Sequence, residues 1–276
     1  GWVESLRLRG AWGESGKQPT SFAALQLLEP ERVTFRGQDV AGVAVLQPGN
    51  PDLKPERGSE VELGFEADLF EGRVAVDFTW YDKVTEDAIV TRRVAPSSGF
   101  PGVRFENIGE IEASGVELGV TAIATESPDL FWTWQFVGAT ANGEITRLDD
   151  QIVFGLNGNS QRHVQDRPLG AYFSTDYAIG ENGEVVSTGE EVYLGHPTPE
   201  WEGSVSTTLR LYNRLTLYAQ VGFAGGHQQF NSTEEYRCGF LGGGEYGGIC
   251  SAIHERGPDG QPTDEARVKA AAASEI

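Results

Sequence analysis

The segment EVELGFEADL, Glu60–Leu69, alternates apolar and polar residues along its whole length, and this pattern is the strongest indication of the fold. One face of such a segment carries the apolar side chains of Val61, Leu63, Phe65, Ala67 and Leu69. The opposite face carries Glu60, Glu62, Gly64, Glu66 and Asp68. A period of two predicts a β-strand with one face in apolar surroundings. Soluble strands usually have about five or six residues, whereas a transmembrane strand needs roughly 9–11, which this run provides.

The same alternation recurs along the chain and predicts about seven long strands in all. The other runs begin near Leu6, Val74, Val116, Leu130, Val205 and Leu215. The 36 glycines and 13 prolines among 276 residues indicate many turns and argue against a helical bundle. The sequence has no run of about 18 apolar residues, so no transmembrane helix is predicted. A membrane-spanning β-barrel, which needs no such run, stays possible.

The connections between these strands alternate between short and long. Tight turns are predicted at Phe70–Gly72, at 126–129 and at Asn213–Arg214. Long polar segments rich in glycine and proline lie at 15–57, at 83–112, at 143–200 and from Gly225 onward. This sequence of short and long connections predicts an all-β fold, an antiparallel transmembrane β-barrel segment with short periplasmic turns and long extracellular loops. A soluble sandwich has less reason to sort its connections by length.

Aromatic residues cluster near the predicted strand ends. They are Trp80, Tyr81, Phe131, Trp132 and Trp134. Rings that are apolar with a polar tip favour the headgroup level of a bilayer, so these residues predict an aromatic belt. Ordinary core aromatics are the alternative interpretation. Near the end of the sequence, Ala266–Ile276 is predicted to form a short helix with Thr263 as its cap.

The charge and the motifs exclude several classes of function. A formal charge of -20 without a concentrated basic patch makes nucleic acid an unsuitable partner. The sequence has no HExxH metal motif, no GxSxG nucleophile elbow and no phosphate-binding loop. We therefore predict a protein that is not an enzyme, with no catalytic residue, no metal site and no cofactor. The histidines, which are predicted to be solvated loop residues, are His163, His196, His227 and His254.

Cys238 and Cys250 are the only cysteines, and both fall in the last glycine-rich segment. Two cysteines in one exposed loop of an exported protein predict a disulfide. Closing a loop of this size would stabilise it by about 3 kcal/mol in the chain-entropy model. Two free thiols are the alternative interpretation.

One motif identifies a family. The stretch NPDLKPER at Asn50–Arg57, followed by the alternating strand, resembles the NPxLKPE signature of TonB-dependent outer-membrane receptors. The matching positions are Asn50, Pro51, Leu53, Pro55 and Glu56. The segments LRGAWGESG at Leu8–Gly16, NIGE at Asn107–Glu110, PLGAYF at Pro168–Phe173, LGHPTPEW at Leu194–Trp201 and GGH at Gly225–His227 add to the likeness. Together they resemble the SusC/RagA branch. Because the two prolines hold the chain extended, we interpret the motif as a structural junction between loop and strand.

The resemblance implies a fold, a location and partners. The family's barrel has about 22 strands and a plugged lumen. Residues 1–276 would be a partial barrel domain, with the plug domain and the barrel ends outside it. The resemblance further implies a receptor of the bacterial outer membrane that imports large nutrients, such as glycans or peptides, with energy supplied through TonB. Its implied partners are the TonB complex, contacted through the missing N-terminal part, a SusD-like surface lipoprotein, an extracellular oligomeric nutrient and the lipid bilayer.

Two other interpretations stay open at this stage. A passive porin-like channel would have similar strands but no plug. A soluble carbohydrate-binding β-sandwich would use exposed Trp or Tyr side chains as stacking platforms, and it predicts shorter strands. In the transporter interpretation, Glu62, Glu66 and Asp77 face the lumen and set the local field. Substrate contacts are not assigned, and a partial barrel with open edges is expected to aggregate when made alone.

Overall fold

The protein is described by a computed structural model that covers residues 1–95, 97, 103–107, 109–148, 152–154, 161–239 and 255–275. Most of these residues lie in β-strands. The strands are β1 (Val3–Lys17), β2 (Leu27–Phe35), β3 (Gln38–Gln47), β4 (Glu56–Leu69), β5 (Val74–Glu86), β6 (Ile89–Arg93), β7 (Val103–Asn107), β8 (Glu110–Glu126), β9 (Leu130–Arg147), β10 (Ile152–Phe154), β11 (Gln161–His163), β12 (Ala171–Ile179), β13 (Val185–Gly195), β14 (Trp201–Leu211) and β15 (Leu215–Gly225). The helices are α1 (Ser232–Gly239) and α2 (Asp264–Glu275). Within the described residues, neither helix is long and apolar enough to cross a membrane.

Seven strands form one antiparallel sheet in the order β1-β4-β5-β8-β9-β14-β15. These are the seven strands that the alternation predicts, which confirms the predicted all-β fold. The register places the apolar residues of neighbouring strands opposite one another, as in the row of Leu8, Phe65, Phe78 and Leu118. Since directly paired residues share a face, the sheet has one apolar face and one polar face.

The apolar face of this sheet is open. The sheet belongs to a compact unit made of Gly1–Asp150, Gln165–Pro168 and Thr198–Gly226. On its apolar face Leu8 is 77% exposed, Leu63 is 54% exposed and Val221 is 67% exposed. A β-sandwich would bury these side chains against a second sheet. The interpretation as a soluble sandwich is therefore wrong, and the open face suits contact with lipid.

The predicted sorting of short and long connections is confirmed in this unit. Phe70, Glu71 and Gly72 form a tight turn with φ values of 56°, 58° and 76°. The amide of Ile123 donates to the carbonyl of Arg73 over 2.7 Å, and the amide of Tyr212 donates to the carbonyl of Asp129 over 2.7 Å. These bonds connect neighbouring strands beside the three tight turns, which all lie at one end of the sheet. The long connections leave the sheet at its opposite end.

The first three long connections are more ordered than predicted, because each of them contains strands of its own. The first contains the β2–β3 hairpin and the second contains the β6–β7 hairpin. The third contains β10 to β13. The β2–β3 hairpin is exposed on both faces along most of its length, so its sequence needs no strict hydrophobic alternation and does not show the period that marks the seven long strands.

Two of the predicted belt aromatics lie on the other face. Trp80, Trp132 and Trp134 belong to the apolar face, and the indole nitrogen of Trp132 donates to Thr207 Oγ1 over 2.9 Å. Tyr81 pairs with Glu62 and Phe131 pairs with Arg210, so both lie on the polar face. The prediction is wrong for these two because neighbouring residues of a strand point to opposite faces.

A second compact unit consists of Gln151–Val164, Leu169–Pro197 and His227–Ile276. Its four strands pair in the order β10-β11-β12-β13, and α2 packs on β12 and on α1. Ala171, Ala266 and Ala270 are fully buried in this unit. Helix α2 confirms the predicted helix, and its cap is the Thr263 hydroxyl, which accepts from the amide of Ala266 over 3.1 Å. The helix begins at Asp264, two residues before the predicted start.

Candidate functional site

The polar face of the seven-stranded sheet carries a concentration of charged side chains. The register places the following residues on it: Arg7, Arg9, Glu60, Glu62, Glu66, Asp68, Asp77, Thr79, Lys83 and Glu117. Glu62, Glu66 and Asp77, which the sequence singled out, are all among them. Acidic residues outnumber basic ones on this face, in keeping with the charge of the whole chain.

Arg9 joins three strands across the polar face. Its Nη1 lies 3.1 Å from Glu66 Oε1, and its Nη2 lies 2.6 Å from Asp77 Oδ1. Its Nη2 also donates to the hydroxyl of Thr79, which is only 8% exposed. Arg7 adds a contact of 3.1 Å to Glu66 Oε2. The negative charges of Glu66 and Asp77 are therefore compensated locally, which the sequence interpretation did not anticipate.

Glu62 differs from these two acids. Among the described residues it has no hydrogen-bonding or ion-pairing side-chain partner. Lys83 instead pairs with Glu60, at 3.5 Å. A groove of about 290 Å³ runs beside these residues, and its lining includes Trp12, Glu60, Glu62 and Lys83. Glu62 therefore carries an uncompensated negative charge on this part of the face.

The family motif lies where the first long connection enters β4, as predicted. The amide of Asn50 donates to the carbonyl of Ala23 over 3.0 Å, and its side-chain Nδ2 donates to the carbonyl of Phe105 over 2.8 Å. Its Oδ1 accepts from the amide of Asp52 over 3.1 Å, which closes a turn over Pro51. The amide of Leu53 completes this turn by donating to the Asn50 carbonyl over 3.4 Å.

The end of the motif is held by Asn107, at the close of β7. Asn107 Oδ1 accepts from the amide of Lys54 over 3.0 Å, and its Nδ2 donates to the carbonyls of Lys54 and Asp87 over 3.0 and 2.6 Å. Glu56 Oε2 accepts from the amide of Ile89 over 3.2 Å, while Pro55 lies between these two contacts. The motif therefore ties the first long connection to the second. We call this set of contacts the loop junction, formed by Asn50–Glu56 with Asp87, Ile89, Phe105 and Asn107.

Sequence reasoning quoted Asn107 only as part of a family segment and missed its part in the junction. The signal available was the glycine two residues later. Gly109 has a φ of 101°, and its carbonyl accepts from the amide of Asp87 over 2.8 Å. A Cβ at this position would collide with the backbone of Arg147, so the close approach requires glycine.

Two histidines are not the solvated loop residues that were predicted. His163 Nδ1 accepts from the amide of Gly170 over 3.3 Å, and burial lowers the pKa of this imidazole. His196 is only 8% exposed. His254 lies outside the described residues. In the part of the chain that the structure describes, no group of three or more potential ligands could hold a metal ion.

Cys238 lies in α1 rather than in a loop, with 4% of its surface exposed. It is not a free thiol. Its predicted partner Cys250 lies outside the described residues, so the pairing of these two cysteines stays a prediction.

The matching family model agrees with the two-faced sheet. The model described as "TonB dependent receptor-like, beta-barrel" matches residues 1–248. The chain belongs to this family. The SusC/RagA-like resemblance of the sequence is confirmed as well, since SusC of Bacteroides thetaiotaomicron is 21% identical over 201 residues, covering 67% of this chain and 20% of SusC. This TonB-dependent receptor barrel segment thus has the fold that the alternation predicted.

Other relatives cover nearly the whole chain. The TonB-dependent receptor P3 of Formosa agariphila is 22% identical over 303 residues, covering 96% of this chain and 30% of the relative. The solved RagAB peptide transporter has a TM-score of 0.75 at 19% identity, covering 95% of this chain and 31% of that chain. The chain therefore spans about a third of the length of these relatives, and the RagAB likeness establishes the fold alone.

Proposed function

We propose that this chain is part of an outer-membrane receptor that actively imports large nutrients, such as glycans or peptides, with energy supplied through TonB. One observation carries the proposal. A chain of the TonB-dependent receptor family forms a seven-stranded sheet with an open apolar face and a charged polar face. A wall between lipid and water uses both faces at once, the apolar one against lipid and the polar one against water.

In this proposal each part of the sheet has a place in the bacterial outer membrane. The apolar face contacts lipid, and the polar face with Arg9, Glu62 and Asp77 lines the lumen. The tight turns at the end marked by Phe70 face the periplasm, and the long connections reach the outside. Arg9 holds β1, β4 and β5 together on the polar face through its contacts with Glu66 and Asp77. Transport makes and breaks no covalent bond in the nutrient, so the proposed function needs no catalytic residue.

The rest of the receptor is also part of the proposal. Residues 1–276 supply a section of the barrel, and the plug and remaining strands belong to other parts of the protein. This part of the proposal is supported by the length of the relatives, which are about three times as long as this chain. It is also supported by the similarity to a solved structure that is named as a peptide transporter. The expected partners are the TonB complex, a SusD-like surface lipoprotein and the imported oligomer. The motif positions Asn50, Pro51, Leu53, Pro55 and Glu56 have a structural role in the loop junction.

The test is uptake by cells that carry the complete receptor. Fluorescent glycan and peptide oligomers are offered to the wild type, to a strain without the receptor and to a strain without TonB. We expect uptake of at least one oligomer that requires the receptor, requires TonB and stops when a proton uncoupler is added. Uptake that requires the receptor but continues without TonB and with the uncoupler would instead identify a passive porin-like channel.

A further inference from the structure

The polar face of the seven-stranded sheet is charged on one side and uncharged on the other. The charged side chains described above lie on β1, β4, β5 and β8. On β14, by contrast, the polar face carries only serine and threonine between Glu202 and Arg210. Strand β15 contains no charged residue, and β9 contains none from Leu130 to Gly143. Three neighbouring strands therefore form an uncharged area within a strongly acidic chain.

Hydroxyl and amide groups form two neighbouring rows across these three strands. One row is centred on Ser206 and the next on Thr208, because β14 lies between β9 and β15. From β9 to β15 the rows are Gln135, Ser206 and Gln220, then Thr133, Thr208 and Tyr218. Side chains that are paired in register lie about 5 Å apart, and the second row follows roughly 7 Å further along the strands. We call these six side chains the neutral panel.

The neutral panel keeps donors and acceptors that a ligand can use. The Tyr218 hydroxyl donates to Gln220 Oε1 over 2.7 Å, which leaves the amide nitrogen of Gln220 to donate elsewhere. Within the part of the chain that the structure describes, the side chains of Gln135, Ser206 and Thr208 have no hydrogen-bonding partner in the protein. Hydroxyl and amide groups both donate and accept. The panel therefore suits a ligand whose own polar groups do the same.

An aromatic ring and a groove flank the polar groups of the panel. Tyr218 is 63% exposed, so its ring offers an apolar surface with a polar tip. Beyond the row of Ser206, a groove of about 500 Å³ lies over small residues that include Ala139, Ser204 and Gly222. Small side chains leave room for a ligand to lie close to the sheet. The wall thus combines hydrogen-bonding groups, a ring surface and space along three strands.

The chemistry of the panel selects against charged ligands and against peptides. A charged group would leave water without meeting a counter-charge, which costs far more than the transfer of a hydroxyl that finds a hydrogen bond. A peptide binds a sheet by adding a strand to a free edge, whereas β14 is already paired with β9 and β15 on its two edges. An uncharged oligomer rich in hydroxyl groups, with C–H surfaces that stack on an aromatic ring, meets both conditions.

We propose that the neutral panel binds an uncharged oligosaccharide on the lumen wall of the receptor. The inference rests on the proposed function and specifies its substrate class as a neutral glycan. The hydroxyl and amide groups of the panel bond to sugar hydroxyls, and Tyr218 stacks on the C–H face of one sugar ring. The charged half of the same wall, with Arg9, Glu62 and Asp77, takes no part in this contact.

The test measures binding to the complete receptor, purified in detergent, by isothermal titration calorimetry. The neutral probes are maltohexaose, cellohexaose, mannohexaose and xylohexaose. Oligogalacturonate is the charged probe, and an end-blocked peptide of alanine and serine is the uncharged peptide. We expect at least one neutral sugar to bind, with an affinity that changes by no more than about twofold when salt is added, because no ion pair is involved. The charged sugar and the peptide are not expected to bind.

Substitutions in the panel test the site itself. Tyr218→Ala removes the ring and is expected to weaken binding of the neutral sugar by about tenfold, whereas Tyr218→Phe keeps the ring and should weaken it by no more than about threefold. Ser206→Asp and Ser206→Lys are each expected to weaken binding by at least about tenfold, because either charge loses water to the ligand. The matched control is Ser15→Asp, on the polar face of β1, which should leave binding unchanged.

Several results would overturn the inference. Opposite effects of Ser206→Asp and Ser206→Lys would mean that the ligand is charged. Unchanged binding in Tyr218→Ala, an equal loss in Ser15→Asp, or binding of only the peptide or oligogalacturonate would each reject the site. Urea unfolding of the same variants completes the test. A loss of stability in Ser206→Asp would show that the panel packs against another part of the receptor, which also contradicts a ligand site.

Failure of this inference can be told apart from failure of the proposed function. If no neutral sugar binds, the neutral panel is not a glycan site. Uptake of a charged oligomer or of a peptide that requires both the receptor and TonB would then leave the proposed function intact. Absence of any uptake that requires TonB would reject the proposed function itself.

Discussion

The two compact units of this chain solve the problem of apolar side chains in opposite ways. The seven-stranded sheet leaves its apolar face uncovered, with Leu8 at 77% exposure. The four-stranded sheet of the second unit is covered by α2, and Ala171 and Ala266 are fully buried there. The first arrangement fits a lipid solvent and the second fits water. The two units of one chain therefore follow different packing rules, and matched substitutions in the two units should have different effects on stability.

The largest effect should come from a charge placed on the lipid face. Leu63→Arg in the complete receptor, folded into phospholipid, is expected to lower the free energy of unfolding by about 2–4 kcal/mol, because the guanidinium must enter the hydrocarbon layer. The matched control is Glu62→Arg, one residue away on the polar face, which is expected to change it little. Urea titration followed by tryptophan fluorescence measures both. Equal effects of the two variants would contradict the assignment of the faces.

A smaller effect should distinguish covered from uncovered alanines. Ala266→Leu is expected to destabilise the second unit by about 1–3 kcal/mol, since its extra atoms must enter a filled space. Ala219→Leu, on the apolar face of β15, is expected to have no cost because nothing covers that residue. Hydrogen exchange of the complete receptor, read at each unit, gives both values. A similar loss at Ala219 would mean that the sheet face is packed by protein.

The loop junction offers a comparison between the two ends of the sheet. Asn107→Ala removes three hydrogen bonds to Lys54 and Asp87 and is expected to cost about 1–2 kcal/mol locally. Asn213→Gly, at a tight turn where residue 213 has a φ of 51°, removes one bond of 3.4 Å to the carbonyl of Pro128 without straining the backbone, and it should cost less. Limited proteolysis should then cut the first variant faster within the first two long connections. Equal resistance of both variants to proteolysis would contradict the structural role of the loop junction.

The smallest effect concerns pH and the second unit alone. Burial lowers the pKa of His163 below its ordinary value of 6.5, so the unfolded chain binds this proton more readily than the folded unit. The unit should therefore lose stability as the pH falls below about 7 towards the lowered value, by at most about 1.4 kcal/mol per pH unit. His163→Gln replaces the imidazole with a side chain that does not titrate but can still accept from the Gly170 amide. This variant should abolish the dependence of the free energy of unfolding on pH in this range. Hydrogen exchange in β11 and β12 between neutral and mildly acidic pH measures the slope.

Glu191, in the same four-stranded sheet, affects the stability of the second unit in a different pH range. The hydrogen bond from Arg162 Nη1, at 2.6 Å, and the ion pair with Arg162 Nη2, at 2.5 Å, hold the pKa of this carboxyl below its ordinary value of 4.5. Stability from this pair is present above pH 4.5 and is lost only as the pH falls through the lowered value. A slope above pH 5 that persists in the His163→Gln variant would therefore not come from Glu191.

The seven long strands, their two faces and the end at which the tight turns lie could all be predicted from the amino-acid sequence. Alternation is visible without a structure because every second residue of Glu60–Leu69 must meet the same solvent. The motif Asn50–Arg57 likewise indicated the family and the start of β4. Helix α2 was predictable because Thr263 and the acidic first turn are local signals.

The contacts between residues on different strands and loops, by contrast, could be found only in the folded protein. Arg9, Glu66 and Asp77 lie on three strands, and the register that joins them depends on pairing between distant segments. The same holds for Asn107, which closes the loop junction 53 residues from Lys54. The β2–β3 hairpin was missed because both of its faces meet water along most of its length, so its sequence needs no strict alternation. Hydrophobic alternation and helix capping depend on residues that are close in sequence. Ion pairs and the loop junction form only when folding brings remote residues together.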